Sequence, residues 1–155
     1  MTPLFKKLNF KNHQNIVILN HPDSFNAELK EMATDTNVIT SADKLKKLDF
    51  VLIFVTEQSA IDSSIAEVFS KLDGDAVIWY CYPKGSSKKY KTTIHRDRGW
   101  TKVAAYGLEG VRMVAIDENW SGLRFRKVEY IKKITRRESF AMTSDAKNRT
   151  TQKGA

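Results

Sequence analysis

The sequence predicts a single three-layer α/β domain, with a mostly parallel sheet between helices and an antiparallel hairpin toward its C-terminal end. Three observations carry this reading. Residues 15–20, 49–55 and 76–82 are short runs apolar at successive positions, and strands apolar on both faces belong in a sheet covered on both sides. Between the last two runs, Ile61, Ile65, Val68, Phe69 and Leu72 recur at helical spacing. Near the end, residues 123–128 alternate apolar and basic side chains, as an antiparallel edge strand does.

Taken in order, the 15–20 run is the first strand. Pro22-Asp23-Ser24 is a helix-start signal, and residues 24–33 read as a short helix with Asp23 or Ser24 as its cap. Residues 37–40 form a brief strand and 43–48 a polar helical turn. Residues 49–82 then read as strand, helix, strand, a right-handed crossover unit. Ser59 is its expected N-cap, with Asp62 in capping-box position. Gly74 sits where a left-handed C-cap is expected. Residues 94–107 are expected to form a helix with Ile94, Trp100, Val103 and Ala104 toward the sheet, closed by Gly107 and Gly110. A strand at 111–116, a turn at 117–122 and the 123–128 strand complete a domain spanning 1–138. The polar, aperiodic stretch 139–155 reads as a disordered tail.

A chain of 155 residues, 41% hydrophobic and 10% aromatic, has a sizeable core and excludes wholesale disorder. Cys81 is the single cysteine, which excludes an internal disulfide framework or a Cys-cluster metal site. No apolar run approaches the roughly 20 residues of a membrane span. The opening Met1-Thr2-Pro3-Leu4-Phe5-Lys6-Lys7 lacks the apolar core of a secretory signal. A cytoplasmic location without a membrane partner is therefore expected, and no cofactor and no metal are called for.

The net charge of +8 is unevenly spread. Residues 1–75 hold eight Lys/Arg against eleven Asp/Glu, whereas 76–155 hold eighteen against seven. Two clusters stand out. One is Lys84, Lys88, Lys89, Lys91, Arg96, Arg98 and Lys102 against Asp97; the other is Arg124, Arg126, Lys127, Lys132, Lys133, Arg136 and Arg137 against Glu129. Focused positive potential draws anions, and the alternative is a solvated, solubilising surface.

Candidate chemistry concentrates in four places. A nucleotide-binding strand-to-helix turn needs glycine for close backbone approach. Here that turn reads Leu19-Asn20-His21-Pro22-Asp23-Ser24-Phe25, and the first glycine is Gly74. His21 and Asp23 are either an acid/base pair or polar turn residues. The stretch from Tyr82 to Lys91 follows a central strand, where ligands of open α/β sheets bind. Its Ser86 and Ser87 beside Lys84, Lys88, Lys89 and Lys91 suit a phosphate, although the Walker spacing is missing. His95-Arg96-Asp97-Arg98 resembles a kinase triplet with nothing else of a kinase around it. It is expected to open a helix, with Arg96 or Arg98 clamping an anion. Asp117 and Glu118 are adjacent, so on a strand they point to opposite faces and do not share a metal. Trp120 either stacks on a base or packs the hairpin, while Trp79, Phe125 and Cys81 are core residues.

Three stretches carry a family likeness: Trp79-Tyr80-Cys81-Tyr82-Pro83-Lys84-Gly85-Ser86; then Arg96-Asp97-Arg98-Gly99-Trp100; then Gly107-Leu108-Glu109-Gly110-Val111 running into Ala115-Ile116-Asp117-Glu118-Asn119-Trp120-Ser121. Together they resemble a bacterial family of small Rossmann-like proteins of unknown function, over roughly residues 15–130. That layout is similar to the later half of class I methyltransferases with their final antiparallel hairpin. The resemblance implies the Rossmann-like fold and brings no activity. The leading expectation is a non-catalytic module binding an anionic partner, a phosphate metabolite or a nucleic acid, through the 84–98 segment joined by Arg124 and Arg126. The alternatives are a divergent S-adenosylmethionine-dependent methyltransferase, with a pocket near His21, Asp23, His95, Asp117 and Trp120, and a structural protein-interaction domain.

Overall fold

Residues 1–131 are described by a computed structural model. The expected tail at 139–155, together with Lys132, Lys133, Arg136 and Arg137, lies outside the described residues. Six strands form one sheet: β1 (Asn15–Leu19), β2 (Asn37–Ile39), β3 (Leu48–Phe54), β4 (Leu72–Pro83), β5 (Leu108–Ala115) and β6 (Trp120–Lys127). Their order is β2-β1-β3-β4-β6-β5. The first four run parallel, and β6 is antiparallel to both β4 and β5. The Rossmann-like three-layer sheet with a terminal antiparallel hairpin is therefore the observed fold.

The continuous apolar runs are buried on both faces. Along β3, Val51 and Ile53 join the core beneath α3 (Gln58–Val68) and α4 (Thr101–Ala105), together with Ile61, Ile65, Val68 and Val103. Phe50, Leu52 and Phe54 point the other way, into a core with Phe5 and Leu8 near α1 (Pro3–Lys7) and Leu29 and Met32 of α2 (Asn26–Met32). Period-two alternation thus divides each buried strand between two cores.

Several local expectations are corrected. α1 is too short to show periodicity; it starts on Pro3, with Thr2 Oγ1 accepting the Phe5 N–H at 3.2 Å. No side chain caps the 3-10 turn Asp23–Phe25 before α2, so neither Asp23 nor Ser24 has the expected role. α3 begins one residue before Ser59, and Gln58 Nε2 bridges to Asp62 Oδ1 at 3.0 Å in place of a capping box. Gly74 does take positive φ (+57°), but inside β4, where the register with β3 shifts between Leu48 and Phe50. The 94–107 helix shrinks to the five residues of α4. Ahead of it, His95 and Arg98 exchange backbone hydrogen bonds at 3.2 and 3.0 Å in a tight turn, and Gly99 at φ +116° leaves the helical region. Asp97 therefore stands in a turn and not at a helix start. β5 and β6 both begin three residues earlier than expected, so Gly110 lies within a strand.

Candidate anion-binding cleft at the carboxyl edge

From β1 the chain moves to β2 on one side and returns to β3 on the other, so the carboxyl ends of β1 and β3 meet at the topological switch point. Asn20 ends β1 at φ +60°, a conformation usually left to glycine. His21 Nε2 pairs with Asn26 Oδ1 at 2.9 Å, and Pro22 offers no N–H. A line of rings follows this edge: Phe25 to Phe54 at 5.0 Å, Phe54 to Trp120 at 5.1 Å and Trp120 to Tyr90 at 4.8 Å. Trp120 is buried in this packing, which decides its role in favour of the core.

Beyond β4 a cleft of about 480 Å³ opens between the strand end, the turn after it and the 90–95 segment. That volume suits a small ligand. Lys84, Ser87, Lys91, Thr93 and His95 give it polar walls, and Tyr82 and Ile94 apolar ones. The loop is held by its own side chains. Lys84 N donates to Asn119 O at 2.8 Å, continuing the β4–β6 pairing. Ser87 Oγ donates to Asn119 Oδ1 at 2.8 Å and accepts from the amides of Lys89 and Tyr90 at 3.2 and 3.1 Å. Thr92 Oγ1 ties the far side to Thr56 O at 2.8 Å, beyond β3. Trp100 Nε1 donates to His95 O at 2.9 Å.

Ionisation follows from these surroundings. Burial raises the Tyr82 hydroxyl to about 12, with the nearby Arg96 charge opposing, so it stays a neutral donor. His95 Nδ1 accepts the Asp97 N–H at 3.1 Å, which leaves Nε2 to carry the ring's N–H. Burial drives the Cys81 thiol upward, consistent with an inert core residue.

The expected site residues divide among several places. Lys84, Ser87, Lys91 and His95 line the cleft, and Arg96 acts on its Tyr82 wall. Ser86, Lys88 and Lys89 are exposed outside the lining, with Lys89 Nζ 5.5 Å from the Tyr90 ring centroid. Arg98 is exposed on the His95 turn. His21 and Asp23 belong to the switch-point turn. Asp117 Oδ1 accepts the amides of Asn119 and Trp120 at 2.7 and 2.9 Å, shaping the hairpin. Arg124 and Arg126 lie four and six residues into β6, about 13 and 20 Å from the cleft end by strand rise, toward the opposite edge. The sequence reading missed Thr56, Thr92 and Asn119, whose parts depend on contacts between distant segments. Among the described residues, no group of three or more His, Cys, Asp or Glu is placed to hold a metal, and no helix is long and apolar enough to cross a membrane.

The sheet order and terminal antiparallel hairpin define a Rossmann-like fold of the kind seen in class I methyltransferases. The particular likeness is to a SAM-dependent methyltransferase from Aquifex aeolicus, 10% identical, covering 81% of this chain and 88% of that one with a TM-score of 0.53. Fainter likenesses, below a TM-score of 0.5, are to a protein of the NADB-Rossmann superfamily from Streptococcus agalactiae (10% identity, 82% and 68% covered, 0.48) and a tRNA methyltransferase from B. subtilis (10%, 79% and 64%, 0.46). The fold assignment rests on the first. No family model and no curated protein matches the chain.

The Aquifex aeolicus neighbour is a SAM-dependent methyltransferase, and the turn after β1 in this chain differs from a glycine-rich cofactor turn. Asn20 supplies the left-handed backbone, but the turn holds no glycine and loses a donor at Pro22. Where a ribose-binding carboxylate is expected after the second strand, the chain reads Thr40-Ser41. Phe25, Phe54 and Trp120 pack the edge beside the turn. These residues do not fit a glycine-turn S-adenosylmethionine site.

Proposed function

We propose that the protein is a methyltransferase-like Rossmann module that binds a small phosphate-bearing anion at the carboxyl edge of its sheet. The observation supporting this reading is the cleft beyond β4, with Lys84 and Lys91 on its walls beside the Nε2–H of His95 and the hydroxyls of Thr93 and Tyr82, while Ser87 spends its O–H on Asn119 and shapes the loop. Charged donors and neutral hydroxyls together can solvate a phosphate. The cleft shows no base-reading arrangement, so sequence-specific nucleic-acid recognition is not part of this reading. Calorimetric titration with pyrophosphate at two salt concentrations tests it. Binding should weaken with salt and fall roughly tenfold or more in a K84Q/K91Q variant. Equal affinity in that variant overturns the reading.

A second reading, a divergent S-adenosylmethionine-dependent methyltransferase, is favoured by the fold likeness, which bears on this alternative more than on a non-catalytic module. It requires a cofactor site built without the glycine turn. A ligand that binds only the folded state raises the melting temperature. A clear rise with millimolar S-adenosylmethionine or S-adenosylhomocysteine, and none with pyrophosphate, makes the second reading the better one.

A further inference from the structure

On the sheet face that carries α1 and α2, two arginines stand opposite each other. Arg112 of β5 and Arg124 of β6 are cross-strand partners, and Arg124 is also the partner of Trp79 in β4. A register shift between Gly110 and Arg112 creates this pairing. Without it Arg112 would face Leu123 and point toward α4, because one step of register moves a side chain to the other face.

Among the described residues the pair has no carboxylate bonded to it. Asp75, the carboxylate whose charge acts on Arg124, is taken up by Arg126, whose Nε and Nη2 donate to its two oxygens at 3.0 and 2.6 Å. Among the described residues, no hydrogen bond or ion pair engages Arg112 or Arg124. Arg124 Nε is buried without an acceptor. Burial, with Arg126 and Arg112 adding to it and Asp75 opposing, pulls the Arg124 guanidinium below its ordinary pKa. Like charges facing each other on a sheet destabilise it, and so does a buried donor left without an acceptor. Both penalties disappear when an oxyanion lies between the two guanidinium groups, whose planar forks each offer paired N–H donors.

We propose that Arg112 and Arg124 form an anion site for the phosphate group of a small molecule, separate from the cleft beyond β4. A single pair flanked by Asp75 suits one compact anion, whereas a nucleic-acid strand needs a row of cations.

The test is titration of the whole chain with pyrophosphate, comparing wild type with R112Q, R124Q and K84Q/K91Q. Arg112 is exposed, so R112Q keeps the fold even if R124Q does not. R112Q should weaken binding at this site roughly tenfold or more. In phosphate-free buffer it should melt no lower than wild type, since the repulsion is relieved. K84Q/K91Q should leave this site intact. Unchanged affinity in R112Q, or loss confined to K84Q/K91Q, overturns the site and leaves the cleft standing; loss confined to R112Q does the reverse. Binding of a short single-stranded RNA that R112Q abolishes, with none of pyrophosphate, also overturns the small-molecule assignment.

Discussion

Gly122 shows how closely single side chains are fitted in this sheet. A Cβ there would stand 3.1 Å from Trp79 Cε3 and 3.2 Å from Ile116 Cδ1, both in a packed core. Trp79 has little freedom to yield, since its Nε1 donates to Leu8 O at 2.9 Å and holds the end of the N-terminal helix. G122A should therefore cost about 1–3 kcal/mol, through overpacking, seen as a lower urea midpoint with an unchanged m-value. His13 lies 5.1 Å from the Phe50 ring and accepts the Lys11 N–H through Nδ1 at 3.1 Å. Burial lowers its pKa, Asp49 opposes this, and Arg124 lowers it further. The unfolded chain thus binds the proton more readily. Stability falls as pH drops from about 7 through the folded-state value, which lies below 6.5. H13N should show a shallower fall in melting temperature between about pH 7 and about pH 5. A slope equal to that of wild type contradicts this account.

The elements differ in what fixes them. β3 and β4 are fixed by their own apolar runs, and the helix between them by a stripe at helical spacing. The segment after β4 has no such pattern. It is shaped by Ser87, which bonds Asn119 and two amides of its own loop, and by Thr92, which reaches Thr56. S87A should cost about 0.5–1.5 kcal/mol. Its sharper effect is faster hydrogen exchange at the Lys89 and Tyr90 amides while those of β4 stay protected. Unchanged exchange at both would remove Ser87 from this role. The same contrast explains the missed helix at 94–107. Ile94, Trp100 and Val103 are buried as expected, but a tight turn and a glycine at φ +116° bury them without helical geometry.

At the scale of the whole molecule, the basic half of the chain is divided between the two edges of one sheet. Lys84, Lys91 and His95 gather at the carboxyl edge, whereas Arg112, Arg124 and Arg126 lie back along the hairpin. Charge clustering separated the two groups along the chain but not in space. The expectation that Arg124 and Arg126 join the 84–98 segment fails because β6 runs antiparallel and carries its arginines away from the strand end it shares with β4. The pyrophosphate titrations belong to this scale: the two sites should be lost independently, each to its own substitutions. The methyltransferase-like fold is consistent with a ligand at the carboxyl edge, while the turn after β1 sets this chain apart from a glycine-turn cofactor site.

The positions and two-sided burial of β1, β3 and β4 were already present in the sequence, because a run such as Phe50-Val51-Leu52-Ile53-Phe54 is stable only when both of its faces leave water. The amphipathic stripe of the crossover helix was equally local. Only the tertiary structure decided that Asn119 would hold the loop after β4, that Trp120 would be packed against Phe54 and Tyr90, and that Arg112 would meet Arg124. Those outcomes depend on register between segments far apart in the chain, where a shift of one residue sends a side chain to the opposite face.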